Sequence, residues 1–213
     1  EGVMNSKMLI HAFWDSSWQF LIDKLHVLAG MGMMNGALKN FKMLEQLSTF
    51  AKMSDLRDVR FVNLQNWLEI KDSTFYLPVM FIQNNAMNMT LCGEQTFDER
   101  IDYSIKVNAG QVLSSKFKKQ NPNLDPIPAK GHGFFNLYFN THGTLDDFKF
   151  GTNKKKVKDQ FKRSERQKQE IRVALIRAFG SDLKLLQEPE KWEDAGEPSA
   201  SVGEEDVEYI EGF

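Results

Sequence analysis

The chain's only cysteine, Cys92, stands in the stretch LCGEQTFDERIDYSIKV beside the acids Glu94, Asp98, Glu99 and Asp102. A cysteine near acids suggests a nucleophile with an acid–base partner or a ligand of a metal ion. A reactive thiol, however, needs a pKa lowered by a helix N-terminus, a cation or a histidine. Neighbouring acids raise that pKa, so we expect Cys92 to be a passive residue within a strand.

The acids after Cys92 also raise the possibility of a glycosidase carboxylate pair or a set of cation ligands. Their place in the sequence pattern argues against both. Asp98 and Glu99 fall between two strand-like runs, where Asp is favoured for its local hydrogen bonds. Asp102 falls on the polar face of the next strand beside Ser104, which is expected to be its solvent side. We therefore expect no catalytic residue and predict that the chain is not an enzyme.

The histidines give no metal motif. His11, His26, His132 and His142 form no i, i+4 pair, and the sequence holds no HExxH, CxxC or GxxxxGK[ST] motif. A single cysteine excludes an internal disulfide. We expect neither a metal nor a cofactor.

Composition and charge are those of an ordinary globular protein and give no reason to expect a nucleic-acid partner. The 213 residues suit one large β-rich domain with appendages, and a net charge of −2 gives no overall field to attract nucleic acid. No apolar run is long enough to span a bilayer. The chain starts at Glu1 rather than Met, close to a strand-like run, so we expect a fragment whose upstream part is missing. Any anchor or export signal would lie in that part.

The alternation of apolar and polar residues predicts a mainly β fold with flanking α elements: a curled antiparallel meander, open at its N-terminal edge. Turns are expected at Asp72-Ser73, Asn84-Asn85 and Asp98-Glu99, a bulge at Pro78, and a bulge or turn in the glycine-rich stretch 30–36. The predicted strands cover 6–14, 18–29, 59–71, 74–83, 86–97 and 100–107, followed by FFNLYFNTHG and LDDFKFG.

Two segments have a helical pattern. Within the predicted sheet domain 1–152, apolar residues recur at three- and four-residue steps and predict an amphipathic helix over 41–52. Its apolar residues are Phe41, Leu44, Leu47 and Phe50. Residues 153–184 contain 11 Lys or Arg against 4 Asp or Glu and predict a basic helix with a thin apolar stripe. That helix is either solvated, or lies on anionic lipid headgroups or docks a partner.

The last segment, 185–213, contains 10 Asp or Glu and one Lys. A segment of this charge, interrupted by Pro189 and Pro198, is typical of a flexible acidic tail. It could fold back on the basic helix and screen its charge.

One face of the meander collects apolar side chains, and an apolar trough can hold an acyl chain at about 0.8 kcal/mol per buried methylene. The same face is equally consistent with an ordinary core closed by helix 41–52, and the sequence leaves both alternatives open. The side chains expected on this face are Val62, Leu64, Leu68, Ile70, Met87, Met89, Leu91, Ile101, Tyr103, Ile105 and Val107.

The order of these motifs resembles the C-terminal region of AsmA-like proteins of the Bacteroidetes type. A glycine-rich stretch, GMGMMNGALKNF, leads into KMLEQLSTFAKM, then into LEIKDSTFYLPVMFIQNNAMNMTLCGEQTFDERIDYSIKV, and FFNLYFNTHGTLDDFKF follows with a lysine-rich helix. The resemblance covers 18 to about 180, and Asp72-Ser73 replaces the glycine usual in that family. The matching residues are Phe61, Leu64, Ile70, Phe75, Pro78, Ile82, Asn85, Ala86, Gly93, Phe97, Asp98, Ile101, Asp102 and Tyr103.

This resemblance implies a repeating β-groove that carries lipid between membranes. It implies a periplasmic part of an inner-membrane-anchored protein, with phospholipid or another envelope lipid as ligand, the upstream part of the same groove as neighbour, and outer-membrane or periplasmic proteins as further partners. The residues 41–52 would cap the groove. The alternative is a structural or scaffolding module for envelope assembly, with sheet edges that dock proteins.

Overall fold

The computed structural model describes residues 3–39, 57–108 and 136–180, which form one antiparallel sheet and one long helix. The residues of the predicted helix 41–52 lie outside these ranges. The strands are β1 (Val3–His11), β2 (His26–Lys39), β3 (Asp58–Lys71), β4 (Thr74–Ile82), β5 (Met89–Thr96), β6 (Arg100–Asn108), β7 (Asn136–Thr144) and β8 (Phe148–Thr152). The helix α1 is Lys154–Phe179.

The sheet order follows the chain from β1 to β8, so each strand pairs with the one before it. All seven pairings are antiparallel. Within the described residues β1 and β8 are the two edges, and the sheet is open. The predicted fold class, an antiparallel meander with a flanking C-terminal helix, is confirmed.

Two of the predicted turns are confirmed, each with the backbone that a tight hairpin requires. Asp72 and Ser73 have φ of 51° and 55°, the left-handed pair that matches the right-handed twist of the flanking strands. At the hairpin between β5 and β6, Glu99 has φ of 69°, and the Asp98 carboxylate accepts a hydrogen bond from Arg100 Nε at 2.8 Å. Of these three residues with positive φ, only Asp72 belongs to a type that adopts this conformation readily.

The predicted two-residue turn at Asn84-Asn85 is wrong in length. The connection between β4 and β5 runs over 83–88, and the Asn84 side chain holds it by accepting from the amides of Ala86 and Met87. Asn85 ties the connection to β3, because its Oδ1 accepts from the Arg60 amide at 2.7 Å. Side-chain bonds of this kind replace the ladder bonds that a tight turn would have left intact.

The prediction for the first 40 residues also needs correction. The range 18–29 was expected to be a strand and 30–36 a bulge or turn, but 12–25 is a separate excursion and 30–36 is in the middle of β2. Of the glycines in this stretch, Gly36 has a clear packing reason, since a Cβ at this position would lie 2.3 Å from ring atoms of Phe61. Glycine thus allows close approach inside a strand instead of ending it.

The pairing of β3 with β4 is short. It covers only three residue pairs next to the turn, from Lys71 opposite Thr74 to Glu69 opposite Tyr76. Over most of their length these two neighbouring strands are therefore not joined by a regular ladder. We call this region the β3–β4 break.

The bulge predicted at Pro78 is confirmed and lies in the β3–β4 break. The register of β4 against β5 shifts between Leu77 and Met80, which leaves backbone groups of the bulge outside the ladder. One of them, the Pro78 carbonyl, accepts a hydrogen bond from Asn66 Nδ2 of β3 at 3.1 Å. A side chain thus bridges the two strands where backbone pairing stops.

Helix α1 lies across the sheet on one face and contacts strands from β1 to β7. The Asn153 side chain caps its N-terminus by accepting from the Lys156 amide at 2.8 Å. Near its C-terminus, Ile171 and Leu175 are buried against Leu28 and Trp67 of the sheet. The apolar stripe predicted for this basic segment therefore packs against the sheet.

Candidate functional site

The side chains predicted to contact lipid, with the exception of Val62, lie on the side of the sheet opposite α1, which we call the apolar face. The strand register carries this face across the sheet: Ile10 is opposite Val27, Val27 opposite Ile70, and Ile70 opposite Phe75. Further along, Leu91 is opposite Ile105 and belongs to the main hydrophobic cluster with it. The predicted division of β3, β5 and β6 into an apolar and a polar face is correct.

Most of the predicted contact residues are buried. Met87, Met89, Ile105 and Val107 are at most 2% exposed. Leu68 and Ile101 are also buried, whereas Leu64, Ile70, Leu91 and Tyr103 are partly exposed. The structure does not describe the Val62 side chain. The centre of the apolar face is therefore largely covered, and among the described residues its most exposed apolar side chains lie at its border.

That border lies at β1 and the excursion 12–25, where large apolar side chains are 45–86% exposed. Met4, Met8 and Ile10 continue the apolar face, since Met8 is opposite the buried Ala29 and Ile10 opposite the buried Val27. We call the whole set the apolar margin. Its members are Met4, Met8, Ile10, Phe13, Trp14, Trp18, Phe20 and Ile22.

The excursion 12–25 is a small folded unit. Trp14 bridges to Phe20, and their ring centroids are 5.7 Å apart. The Asp15 carboxylate accepts from the amides of Ser17 and Gln19 at 2.8 and 2.9 Å, which fixes the tip. Trp18 is at this tip with φ of 61° and is 86% exposed. The backbone of the excursion is thus held by its own bonds while its aromatic side chains face solvent.

The other face of the sheet carries polar side chains, and α1 covers it. Asp102 of β6 was expected on the solvent side, and this expectation is wrong. The Asp102 carboxylate accepts from Lys156 Nζ at 3.1 Å and from Gln160 Nε2 at 3.2 Å. Gln160 also bonds to Ser104 on the same strand. The alternation identified a polar face correctly but could not reveal that a polar side of α1 binds to it.

Two further contacts position α1 on the sheet. Ser164 Oγ accepts from the Val79 amide at 2.7 Å, and this amide is one of the backbone groups released by the bulge at Pro78. Gln167 Nε2 donates to Glu69 at 2.9 Å, and Glu69 also bonds to His26 Nε2 at 3.0 Å. The bulge thus supplies a specific partner for the middle of the helix.

Cys92 lies beneath these contacts between α1 and the sheet and is 3% exposed. Burial raises the pKa of its thiol to about 12, with a smaller opposing effect from a hydrogen bond with Ser164 and a further rise from the Asp102 charge. A thiol in this state is a poor nucleophile at neutral pH. The adjacent cleft, of about 420 Å³, is lined by Tyr76, Cys92, Gly93, Glu94, Asp102, Lys156, Gln160, Arg163, Ser164 and Gln167.

The four acids near Cys92 in sequence have separate roles. Asp98 is exposed at its hairpin, and bonds from Thr96 and Arg100 lower the pKa of its carboxyl. Glu99 occupies the positive-φ position of the same turn, and Glu94 is exposed at the edge of the cleft. In the ranges the structure describes, no three His, Cys, Asp or Glu side chains gather where they could hold a metal ion.

Among the described residues, no helix is both long enough and apolar enough to cross a membrane. The 26 residues of α1 would have the length, but they carry ten Lys or Arg.

Sequence reasoning missed the apolar margin because it assigned 18–29 to one strand with two apolar faces. A signal was present. Asp15-Ser16-Ser17 is a turn sequence between two aromatic pairs, so the aromatic residues after it were placed to form a hairpin rather than to enter the core.

Comparisons with protein-family models, with curated proteins and with solved structures find no match to this chain. The resemblance to AsmA-like proteins therefore stays a prediction.

Proposed function

We propose that this chain is a non-enzymatic lipid-binding module that takes up acyl chains at the apolar margin and passes them along, or blocks them at, the apolar face of its sheet. The observation that carries the proposal is the continuity between the exposed side chains of β1 and the buried cluster behind them. Met8 and Ile10 are about half exposed, yet their partners across the strand pair are Ala29 and Val27, which are buried.

The energetics favour an apolar ligand at this margin. Fully burying a large apolar side chain gives about 1.5–3 kcal/mol, so the half-exposed members of the margin each contribute roughly 1 kcal/mol when covered. Met side chains adapt to ligands of varied shape because they are flexible and polarizable. Trp14 and Trp18 combine an apolar ring with one N–H donor, a combination suited to the boundary between acyl chains and water.

The setting we propose is the periplasm of a bacterium, within the C-terminal region of an AsmA-like envelope protein. Support comes from the order of sequence motifs and from the antiparallel meander, which is the architecture that resemblance implies. In this setting, the upstream part of the groove would continue from the β1 edge, and the apolar margin would be the point of transfer.

The experiment is to purify the chain in mild conditions and identify co-purified lipid by native mass spectrometry. Two polar substitutions in the margin, Ile10→Asp and Trp18→Asp, are compared with Phe97→Asp. Phe97 is also a large exposed side chain, 44% exposed, but it follows β5, which is four strands from β1, or about 19 Å at the usual strand spacing. We expect lipid with the native chain and with the Phe97 variant, and loss of at least 80% of it with the margin variants.

The proposal fails if the native chain carries no lipid and takes none from labelled phospholipid vesicles. It also fails if Phe97→Asp removes lipid as effectively as the margin variants do.

A second candidate is scaffolding in envelope assembly, favoured by the edge position of β1. In the described residues β1 pairs only with β2, which leaves one side of the strand available to a further strand. A protein ligand would then add a strand to β1. Cross-linking from an engineered cysteine at Asn5, in a Cys92→Ala background, would give a specific protein adduct and no lipid if this candidate is right.

A further inference from the structure

The outward side of α1 carries a line of positive charge. Four cations and one valine follow one another at steps of seven and four residues, which places them along a single line on the helix surface. They are Lys155, Lys162, Arg166, Val173 and Arg177. All five are exposed. At 1.5 Å per residue, the line is roughly 33 Å long. The opposite side of the helix is buried against the sheet through Val157, Ser164, Lys168, Ile171 and Leu175.

The cations of this line have no anionic partner in the part of the chain that the structure describes. The basic side chains that do form ion pairs there, such as Lys156 with Asp102 and Arg60 with Asp58, belong to other positions. Over its whole length α1 has ten Lys or Arg and three Asp or Glu. Two of these acids, Asp159 and Glu170, are exposed one turn from Lys155 and Arg166, so the outward side carries both signs and a net positive charge.

Two aliphatic side chains interrupt this surface. Val173 is 54% exposed and Ile176 is 45% exposed, and their spacing of three residues makes them neighbours. Arg172 and Arg177 flank them in the sequence. Exposed aliphatic groups between cations are typical of helices that lie in the headgroup layer of a membrane, where the apolar atoms enter the layer and the cations meet phosphates.

We propose that the outward side of α1 binds the headgroups of anionic phospholipids, with Val173 and Ile176 entering the headgroup layer. The positive charge of the helix complements such a surface and sets the partner's chemistry. A nucleic acid is the weaker fit. The outward line offers no aromatic group on which single-stranded bases could stack, and its exposed aliphatic side chains gain nothing from the phosphates of a duplex. The inference takes its ligand class from the proposed function but rests on residues remote from the apolar margin.

The experiment measures sedimentation of the full chain with vesicles of phosphatidylcholine alone and with 30% phosphatidylglycerol. Each cation near an anionic surface raises partitioning about five-fold, so Arg166→Gln with Arg177→Gln is expected to lower binding to the anionic vesicles roughly 25-fold. The matched control, Lys71→Gln with Lys149→Gln, removes the same charge from exposed positions on sheet hairpins and should leave binding within two-fold.

A second pair of variants tests the aliphatic contact. Val173→Gln with Ile176→Gln keeps the charge and should weaken binding several-fold while leaving its dependence on salt unchanged. Because residues 185–213 carry a net charge of −9, all vesicle assays are repeated with the ten acidic residues of that segment replaced by Gln or Asn.

Absence of binding to anionic vesicles in both backgrounds overturns the inference. So does equal binding by the double Arg variant and its control, or salt-dependent binding of a short DNA duplex by a chain that ignores vesicles. The outcome is separable from that of the proposed function. Loss of acyl-chain binding at the apolar margin leaves the salt-dependent attachment through α1 intact, and the margin variants should not change it.

Discussion

The packing of α1 on the sheet can be tested at Leu175, which is 0% exposed in the cluster with Leu28, Trp67 and Ile171. Leu175→Ala removes three carbon atoms from a fully buried site, and substitutions of this kind cost about 2–5 kcal/mol. We expect about 3 kcal/mol, since alanine is only slightly better than leucine as a helix former and offsets little of the loss. With a urea dependence of about 2 kcal/mol/M, the unfolding midpoint should fall by roughly 1.5 M.

Two measurements follow this change. Trp67 lies in the same cluster, so tryptophan fluorescence in urea reports its unfolding. The single cysteine reports the covering of the polar face, because Cys92 is buried beneath α1 with the pKa of its thiol near 12. At pH 8 only roughly one thiol in 10⁴ is ionised in the closed state, so labelling requires opening. A loss of 3 kcal/mol should raise the labelling rate roughly 150-fold.

The matched control is Val173→Ala, two residues away on the outward side of the same helix and 54% exposed. It should change the free energy of unfolding by no more than about 0.5 kcal/mol. The reasoning is refuted if both variants shift the midpoint by the same small amount. It is also refuted if Leu175→Ala lowers the midpoint but leaves Cys92 labelling unchanged, because α1 would then not be what protects the thiol.

Two other predictions concern the sheet. Gly93→Ala should lower the free energy of unfolding by about 1–3 kcal/mol, because the new Cβ would lie 2.2 Å from the Tyr103 ring. The control, Gly151→Ala, should be tolerated, because its Cβ would lie 3.5 Å from the nearest atom. Thermal unfolding of both variants checks this prediction. The bond and charge of Arg60 lower the pKa of Asp58, so the ionised carboxylate stabilises the fold above pH 4 and this contribution is lost as pH falls below the ordinary value of 3.8. In acid titrations of stability, Asp58→Asn should flatten the curve below pH 4, and an unchanged curve would contradict the assignment.

The sequence predicted most of the sheet because its strands alternate cleanly and its turns carry residues with a physical reason to be there. Asp72-Ser73 and Asp98-Glu99 gave hairpin positions, and Pro78 gave a bulge because it cannot donate to the ladder. The residues on the apolar face of β3, β5 and β6 followed from the period of two.

The remaining features depend on contacts between distant parts of the chain, which periodicity does not encode. Gly36 is required by the ring of Phe61, and the register of β2 on β3 decides which glycine meets that ring. Asp102 meets Lys156, 54 residues later, only because α1 crosses the polar face. The apolar margin was missed for a related reason, since aromatic residues predict burial unless a local turn turns them outward.

The β3–β4 break has a mechanical consequence. Only three ladder pairs join β3 to β4, all beside the Asp72-Ser73 turn. Farther along, these strands are held together by the Asn66 and Asn85 side chains and by the shared hydrophobic cluster. Helix α1 contacts the sheet on both sides of the break. Leu175 packs on β2 and β3, and Ser164 accepts from the Val79 amide of β4. The helix therefore bridges the part of the sheet where backbone pairing is missing. Without the helix, the break would be held over most of its length by side chains alone.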